Sequence, residues 1–315
     1  MISIAMTTYN GEKYIREQIN SILEQTYQDF ELIICDDCSN DSTWNILQEY
    51  ERKDKRIHCY LNSKNIGFKK NFEKAISLTK SKYIALADQD DIWLSNHLEI
   101  LLKHIGNYYL VCTCAEIIDT NGKKTGLLMR KKDINNLNDN HNNLLLFKLF
   151  SLHNCVQGCT IMFDRVMLND FLPIPEDVPY HDYWFGIIAT MYNKIFFINE
   201  ITVLYRRHDD NASPSINRNN KRKYIYEYIL LRQIMLKCFL EKFSVKMTNM
   251  QLKMCTDIFQ YQQRVINNEK IIERIIFLIC NYIKIYHDQS IIKFLPRIIL
   301  NGIITPILTY KEFKN

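Results

Sequence analysis

The first half of the chain alternates short apolar runs with stretches in which apolar residues recur every three to four positions. Strand-like runs fall at 2–6, 31–35, 57–61, 83–87 and 110–114. Helical periods lie between them: Ile15, Ile19, Ile22 and Leu23; Trp44, Leu47 and Tyr50; Phe68, Phe72, Ala75 and Ile76; Leu98, Leu101 and Leu102. Strand and helix in alternation predict βαβ units, and hence an α/β fold with a mostly parallel, Rossmann-like sheet flanked by helices. Polar residues at the strand ends then gather on one edge of the sheet, where open α/β folds bind ligands.

Further on, 119–143 is polar and Asn-rich and reads as a loop. A strand is expected at 158–163, a helix at 183–192, and two closing strands at 195–197 and 201–205. Beyond Ser213-Pro214-Ser215 the periodicity is helical to the end, so the chain divides into a body, 1–215, and a helical region, 216–315.

Charge sharpens that division. The chain carries 40 Lys+Arg against 35 Asp+Glu, but residues 216–315 hold 17 basic and 7 acidic residues, +10, which leaves −5 for 1–215. A basic tail on an acidic body argues against a nucleic-acid-binding face. It predicts either peripheral contact with an anionic membrane or packing, on the body or between copies in a homo-oligomer, through apolar stripes such as 271–284 and 291–308. The longest uncharged apolar run, 298–310, is well short of the roughly 20 residues of a spanning helix. No export segment is visible at the Met1 start, and ten scattered cysteines then predict reduced thiols in the cytoplasm. Cys35 and Cys38 have CxxC spacing, yet no second pair follows to close a zinc site.

Three motifs remain. Thr7-Thr8-Tyr9-Asn10 and Asp36-Asp37 follow the first two strands, and an aromatic beside a carboxylate can border a nucleobase and accept its N–H. The glycine fingerprint of dinucleotide folds is absent, which argues against a nicotinamide oxidoreductase. After the fourth strand come Asp88, Asp90 and Asp91 within Asp88-Gln89-Asp90-Asp91-Ile92-Trp93. Three carboxylates on one turn repel each other unless a cation compensates them, and a hard cation such as Mg²⁺ or Mn²⁺ also takes phosphate oxygens. Trp93 and Trp184 each follow an acidic motif and are expected to line the pocket.

In this order and spacing, Thr7-Thr8-Tyr9-Asn10, Asp36-Asp37, Asn65-Ile66-Gly67-Phe68 and Asp88-Gln89-Asp90-Asp91-Ile92-Trp93 resemble glycosyltransferase family 2, of GT-A fold, over about 1–210. The resemblance implies a nucleotide-binding half, 1–105, and an acceptor half, 106–215. It implies that Thr7 and Tyr9 border the base, that Asp37 bonds it, and that Asp88 faces the ribose. Gly67 with Lys69 or Lys70 would lie near the nucleotide, and Asp90 with Asp91 would hold the metal bridging the diphosphate. Tyr180-His181-Asp182-Tyr183-Trp184 resembles the segment that supplies the catalytic base, assigned to Asp182. Gly158 resembles the glycine loop beside the donor sugar, and His208 the histidine that completes the metal shell. Arg206 and Arg207 suit phosphate oxygens.

Within the family the wording is most similar to bacterial rhamnosyltransferases of surface-polysaccharide synthesis. That implies dTDP-L-rhamnose as donor, with a UDP-hexose as the alternative, and a saccharide acceptor; the basic tail suggests that this acceptor is lipid-linked, at the cytoplasmic membrane face. The competing expectation is a non-catalytic scaffold that kept the fold; loss of the acidic turn or of Asp182 would favour it, and both are present.

Overall fold

A computed structural model describes residues 1–129, 146, 156–209, 211 and 221–266. By its contacts the chain divides into two units. The first comprises Met1–Asn140, Cys155–Ile174 and Tyr180–Pro214. The second comprises His141–Asn154, Pro175–Pro179 and Ser215–Asn315.

The first unit is built on one mixed sheet. Strands β1 (Ile2–Thr8), β2 (Phe30–Asp36), β3 (Ile57–Leu61) and β4 (Tyr83–Ala87) pair in parallel in the order β3-β2-β1-β4. Helices α1 (Ile15–Leu23), α2 (Thr43–Lys53) and α3 (Phe68–Leu78) make the crossovers, and α4 (His97–Ile105) follows β4. Every residue of β1 and β2 is buried, as expected of central parallel strands covered on both faces. Helix α1 turns Ile15, Ile19 and Ile22, one face at 3.6 periodicity, onto that core.

Past β4 the sheet changes character. Two-residue β5 (Ile92–Trp93) continues the acidic turn; then come β6 (Leu110–Ile118), β7 (Lys124–Met129), β8 (Ile161–Asp164) and β9 (Ile195–Arg206). Antiparallel β8 wedges between β4 and β6; β9 lies parallel to β6 and antiparallel to β5. Short helix α5 (Leu168–Phe171) precedes α6 (His181–Met191), in which every residue except Asp182 is buried. In the second unit, α7 (Lys221–Phe243) and α8 (Asn249–Ile266) pack together, burying Met235, Leu236, Phe239, Met254 and Ile258.

Four expectations are corrected. Part of the expected 119–143 loop is strand β7, whose residues are exposed or half-buried, so no apolar alternation marks it. Its hairpin is set instead by the Asp119 carboxylate, which accepts from Asn121 and Lys123 N–H, and by Gly122 at φ 81°. The strand expected from 158 begins only at Ile161, because Gly158–Thr160 forms a 3₁₀ turn. The two closing strands are one, β9; a shift in register against β6 lets the exposed pair Asn199-Glu200 pass. Trp93 and Trp184 are core residues, 2% and 0% exposed, and not pocket lining.

The stripes 271–284 and 291–308 lie outside the described residues. Among the described residues no helix is long and apolar enough to cross a membrane. Cys35 and Cys38 are free thiols.

Candidate active site

The site grows from the carboxyl ends of β1, β2 and β4, which the register brings level: Thr8 pairs with Asp36, and Met6 with Ala87. Asp36 is structural. Its carboxylate accepts from the Thr8 hydroxyl at 2.7 Å and from Ser39 N–H at 2.9 Å, which closes the turn after β2. Asp37 organises the neighbouring loop, accepting from Asn62 Nδ2, Ile66 N–H and Gly67 N–H, each at 2.8 Å. Gly67 stands at φ 84°, a conformation that favours glycine, and launches α3. Behind it Asn71 joins Asn62 and donates to the Cys35 carbonyl.

The acidic turn is less complete. Asp90, buried, meets His208 Nε2 at 2.7 Å and Asn211 Nδ2 at 3.3 Å. Asp91 is fully buried; its Oδ1 accepts from Arg206 N–H, whereas its Oδ2 has no partner among the described residues. Ligand atoms of Asp88, Asp91 and Cys159 all lie within 4.8 Å of one another. Burial, then Asp90 and Asp182, push Asp88 up to about 8. Asp91 is raised well above the usual carboxylate range, first by burial and then by Asp90 and Asp88. The same burial and acids push the Cys159 thiol well up, so it stays protonated.

This donor set fits a hard divalent cation: close carboxylates, an orphaned carboxylate oxygen, and an imidazole already against Asp90. Asp88 and Asp91, whose oxygens lie within 4.8 Å of each other, and the Asp90–His208 pair are the groups that would hold one; this adds Asp88, expected at the ribose, to the expected set Asp90, Asp91 and His208. The Cys159 sulfur is a soft donor that suits a hard cation poorly, and its side chain is hydrogen-bonded to Asp91.

Asp182 lines the same cleft from the first turn of α6. Its Oδ2 accepts from Gly158 N–H at 3.1 Å, and its Oδ1 from Tyr183 N–H. Beside it, His181 is 6% exposed, its ring packed at a tilt of 31° on Phe72 with centroids 4.2 Å apart. Burial lowers its pKa to about 3, so it is neutral. A Cβ on Gly158 would stand 3.2 Å from His181 Nε2, a close approach that would press on the His181 ring.

One cleft of about 320 Å³ gathers Thr7, Tyr9, Asp37, Gly67, Asp88, Asp90, Gly158 and Asp182 from the sequence expectation. His208 reaches it through Asp90. Two expected residues are elsewhere. Arg206 is 1% exposed; its Nε donates to the Asp90 carbonyl, its Nη2 pairs with Glu17, and it lies 4.5 Å over the Tyr14 ring. It braces the acidic turn from behind and does not face a diphosphate. Lys70 is exposed on α3 and is not on the cleft wall. Sequence reasoning gave no role to Gln89, Asn71, Phe72, Tyr205 or Asn211, all of which line the cleft. Gln89 sat inside a quoted motif and Asn211 three residues past His208; for Asn71 no local signal existed.

The strand-end cleft holds an acidic turn and, from a second element, the carboxylate of Asp182, an arrangement that suits an enzyme acting on a phosphorylated nucleotide donor. Residues 3–170 match the family model described as Glycosyl transferase family 2, and the chain belongs to that family. It is a glycosyltransferase acting on a nucleotide sugar. It is 32% identical to the UDP-Glc:alpha-D-GlcNAc-diphosphoundecaprenol beta-1,3-glucosyltransferase WfgD of Escherichia coli, over 71% of this chain and 84% of that one. To the dTDP-rhamnosyl transferase RfbG of Shigella flexneri it is 31% identical, over 70% and 76%. The crystal structure of Staphylococcus aureus TarS 1-349 in complex with UDP is similar at TM-score 0.56 and 19% identity, covering 82% of this chain and 69% of that one. The fold is thus the GT-A type, with its mixed, mostly parallel sheet.

Proposed function

We propose that the protein is a metal-dependent, inverting glycosyltransferase that moves a sugar, L-rhamnose from dTDP-L-rhamnose in the first instance, to a lipid-linked saccharide of a bacterial surface polysaccharide. The observation that carries the reaction is that the cleft draws carboxylates from two elements: Asp88 and Asp90 from the turn after β4, and Asp182, hydrogen-bonded to Gly158 N–H, from α6. Inversion needs that division. The acceptor hydroxyl oxygen forms a bond to the anomeric carbon as the bond to the diphosphate oxygen breaks on the opposite face, and Asp182 takes the hydroxyl proton. A divalent cation bound by Asp88, Asp90, Asp91 and His208 would supply charge neutralisation to the departing nucleoside diphosphate. Tyr9 and Asp37 hold the base, and Gly158, without a side chain, lets the sugar approach the backbone.

The donor choice rests on the similarity to RfbG, and the lipid-linked acceptor on the substrate in the name of WfgD. WfgD equally favours UDP-glucose, the second reading. The basic 216–315 stretch suits an acceptor presented at an anionic membrane face.

The test is a panel of nucleotide sugars, dTDP-L-rhamnose and UDP-hexoses among them, with Mg²⁺ or Mn²⁺ and undecaprenyl-diphosphate saccharides, read as nucleoside diphosphate release. Release with dTDP-L-rhamnose supports the proposal. Release only with UDP-glucose moves the donor to the second reading, and no release with any donor under either metal overturns it.

A further inference from the structure

Tyr9 is 43% exposed, so packing alone does not hold its ring at the rim of the cleft. It follows the last residue of β1 and precedes Asn10 at φ 49°, in a stretch without ladder hydrogen bonds of its own. Its backbone is nevertheless satisfied at both ends by one side chain. Tyr9 N–H donates to Gln89 Oε1 at 2.8 Å, and Gln89 Nε2 donates to the Tyr9 carbonyl at 3.0 Å. An amide group alone offers a donor and an acceptor at that spacing; a carboxylate or an aliphatic chain of the same length does not.

A Cβ on Gly11 would lie 2.3 Å from Gln89 Oε1, so the absence of a side chain at Gly11 is a condition of the clamp. Asn10 is pinned in turn: its N–H donates to Ser39 Oγ and its Oδ1 accepts from Asn40 N–H. Gln89 itself stands between Asp88 and Asp90, on the turn that forms the acidic wall.

We propose that Gln89 is a positioning residue that fixes Tyr9 as the platform for the nucleobase, tying the base end of the site to the acidic turn. This rests on the nucleotide-sugar reading above. Gln89 acts through Tyr9 and contributes nothing to the diphosphate end.

Calorimetry on the full chain with Mn²⁺ separates these contributions, using UDP and dTDP as base-bearing probes and inorganic diphosphate as the probe without a base. Gln89→Leu is expected to raise Kd for the nucleoside diphosphates about tenfold, as loss of an ordered stacking partner does, and to leave inorganic diphosphate unchanged. In a Tyr9→Ala background the same change is expected to cost nothing further, because both remove one platform. Gly11→Ala, which drives the Gln89 amide away with Gln89 still present, is expected to reproduce the loss, and it serves as the test if Gln89→Leu does not fold. Gln89→Glu, which keeps the acceptor for Tyr9 N–H and loses the donor, is expected to fall between.

Unchanged nucleotide affinity in Gln89→Leu and Gly11→Ala overturns the proposal. So does a parallel loss for inorganic diphosphate, or a penalty that adds to that of Tyr9→Ala, since Gln89 would then touch the ligand directly. A wild-type chain that binds inorganic diphosphate but no nucleoside diphosphate more tightly removes the base platform alone. Failure to bind any of the probes removes the nucleotide-sugar reading with it.

Discussion

The two ends of the cleft are built in opposite ways. At the base end each polar group named has a partner within the protein: Asp37 collects three donors, Thr8 and Ser39 serve Asp36, and Gln89 holds both backbone groups of Tyr9. At the other end polar atoms are orphaned: Asp91 Oδ2 and His208 Nδ1 are buried without hydrogen bonds among the described residues. Buried polar atoms are normally paired, and leaving one unpaired costs about 1–3 kcal/mol. The base end is therefore pre-organised scaffold. The acidic end stores unfavourable electrostatics that a bound cation and diphosphate would relieve, so that under the proposed function its stability and its activity pull in different directions.

The largest break in that comparison is at Asp182. Asp182→Asn keeps an acceptor for Gly158 N–H and removes the base; turnover is expected to fall about 10²–10⁴-fold, with nucleoside diphosphate binding intact by calorimetry. Asp90→Ala comes next. It is expected to abolish the difference in nucleotide affinity with and without Mn²⁺, while binding that keeps its full metal response would move the cation elsewhere.

Asp37→Ala probes the scaffold end. Ile66 and Gly67 N–H lose their acceptor, so a stability loss of about 1–3 kcal/mol is expected in urea unfolding, together with weaker nucleotide binding. Asp88→Asn should do the reverse. With a folded value of about 8, Asp88 keeps its proton while the unfolded chain, near 3.8, has lost it. The metal-free protein is then penalised progressively as pH rises from about 4 to about 8. An uncharged amide at this position removes that penalty, so the Asp88→Asn variant is expected to unfold at higher urea than wild type at pH 8 and equally at pH 4. The smallest effect lies at the acid end. His97 and His181, both lowered to about 3 by burial, stay neutral where the unfolded chain takes up protons below about 6.5. Their share of stability is lost as pH falls from there towards 3, and His97→Phe is expected to flatten that limb of an unfolding-versus-pH curve.

Much of the architecture was legible because it follows from local periodicity. The parallel strands 2–6, 31–35, 57–61 and 83–87 fall within or on β1 to β4, since buried parallel strands are continuous apolar runs and their crossovers are amphipathic helices. Strand β7 was missed for the complementary reason: it is an exposed ribbon whose order comes from the Asp119 turn and from pairing with β6. Likewise 158–160 reads as strand by composition, and forms a 3₁₀ turn where Gly158 packs against His181 and bonds Asp182.

Residue types and spacing by themselves determined the fold class and the acidic turn, because hydrophobic pattern and clustered charge are properties of the chain alone; the candidate base came from the family resemblance of its segment. What each side chain faces was decided only by the tertiary structure. Arg206 carries the charge a diphosphate wants, yet Asp91, the Asp90 carbonyl, Glu17 and Tyr14 enclose it. Trp93 and Trp184 have the area to stack on a sugar, yet the core takes them. Gln89 carries no charge to draw notice, and acquires a role only because β1 and β4 lie side by side and bring it to Tyr9 across 80 residues of chain. Which of its neighbours a polar group meets depends on strand register and helix packing between distant segments, and no local pattern encodes those contacts.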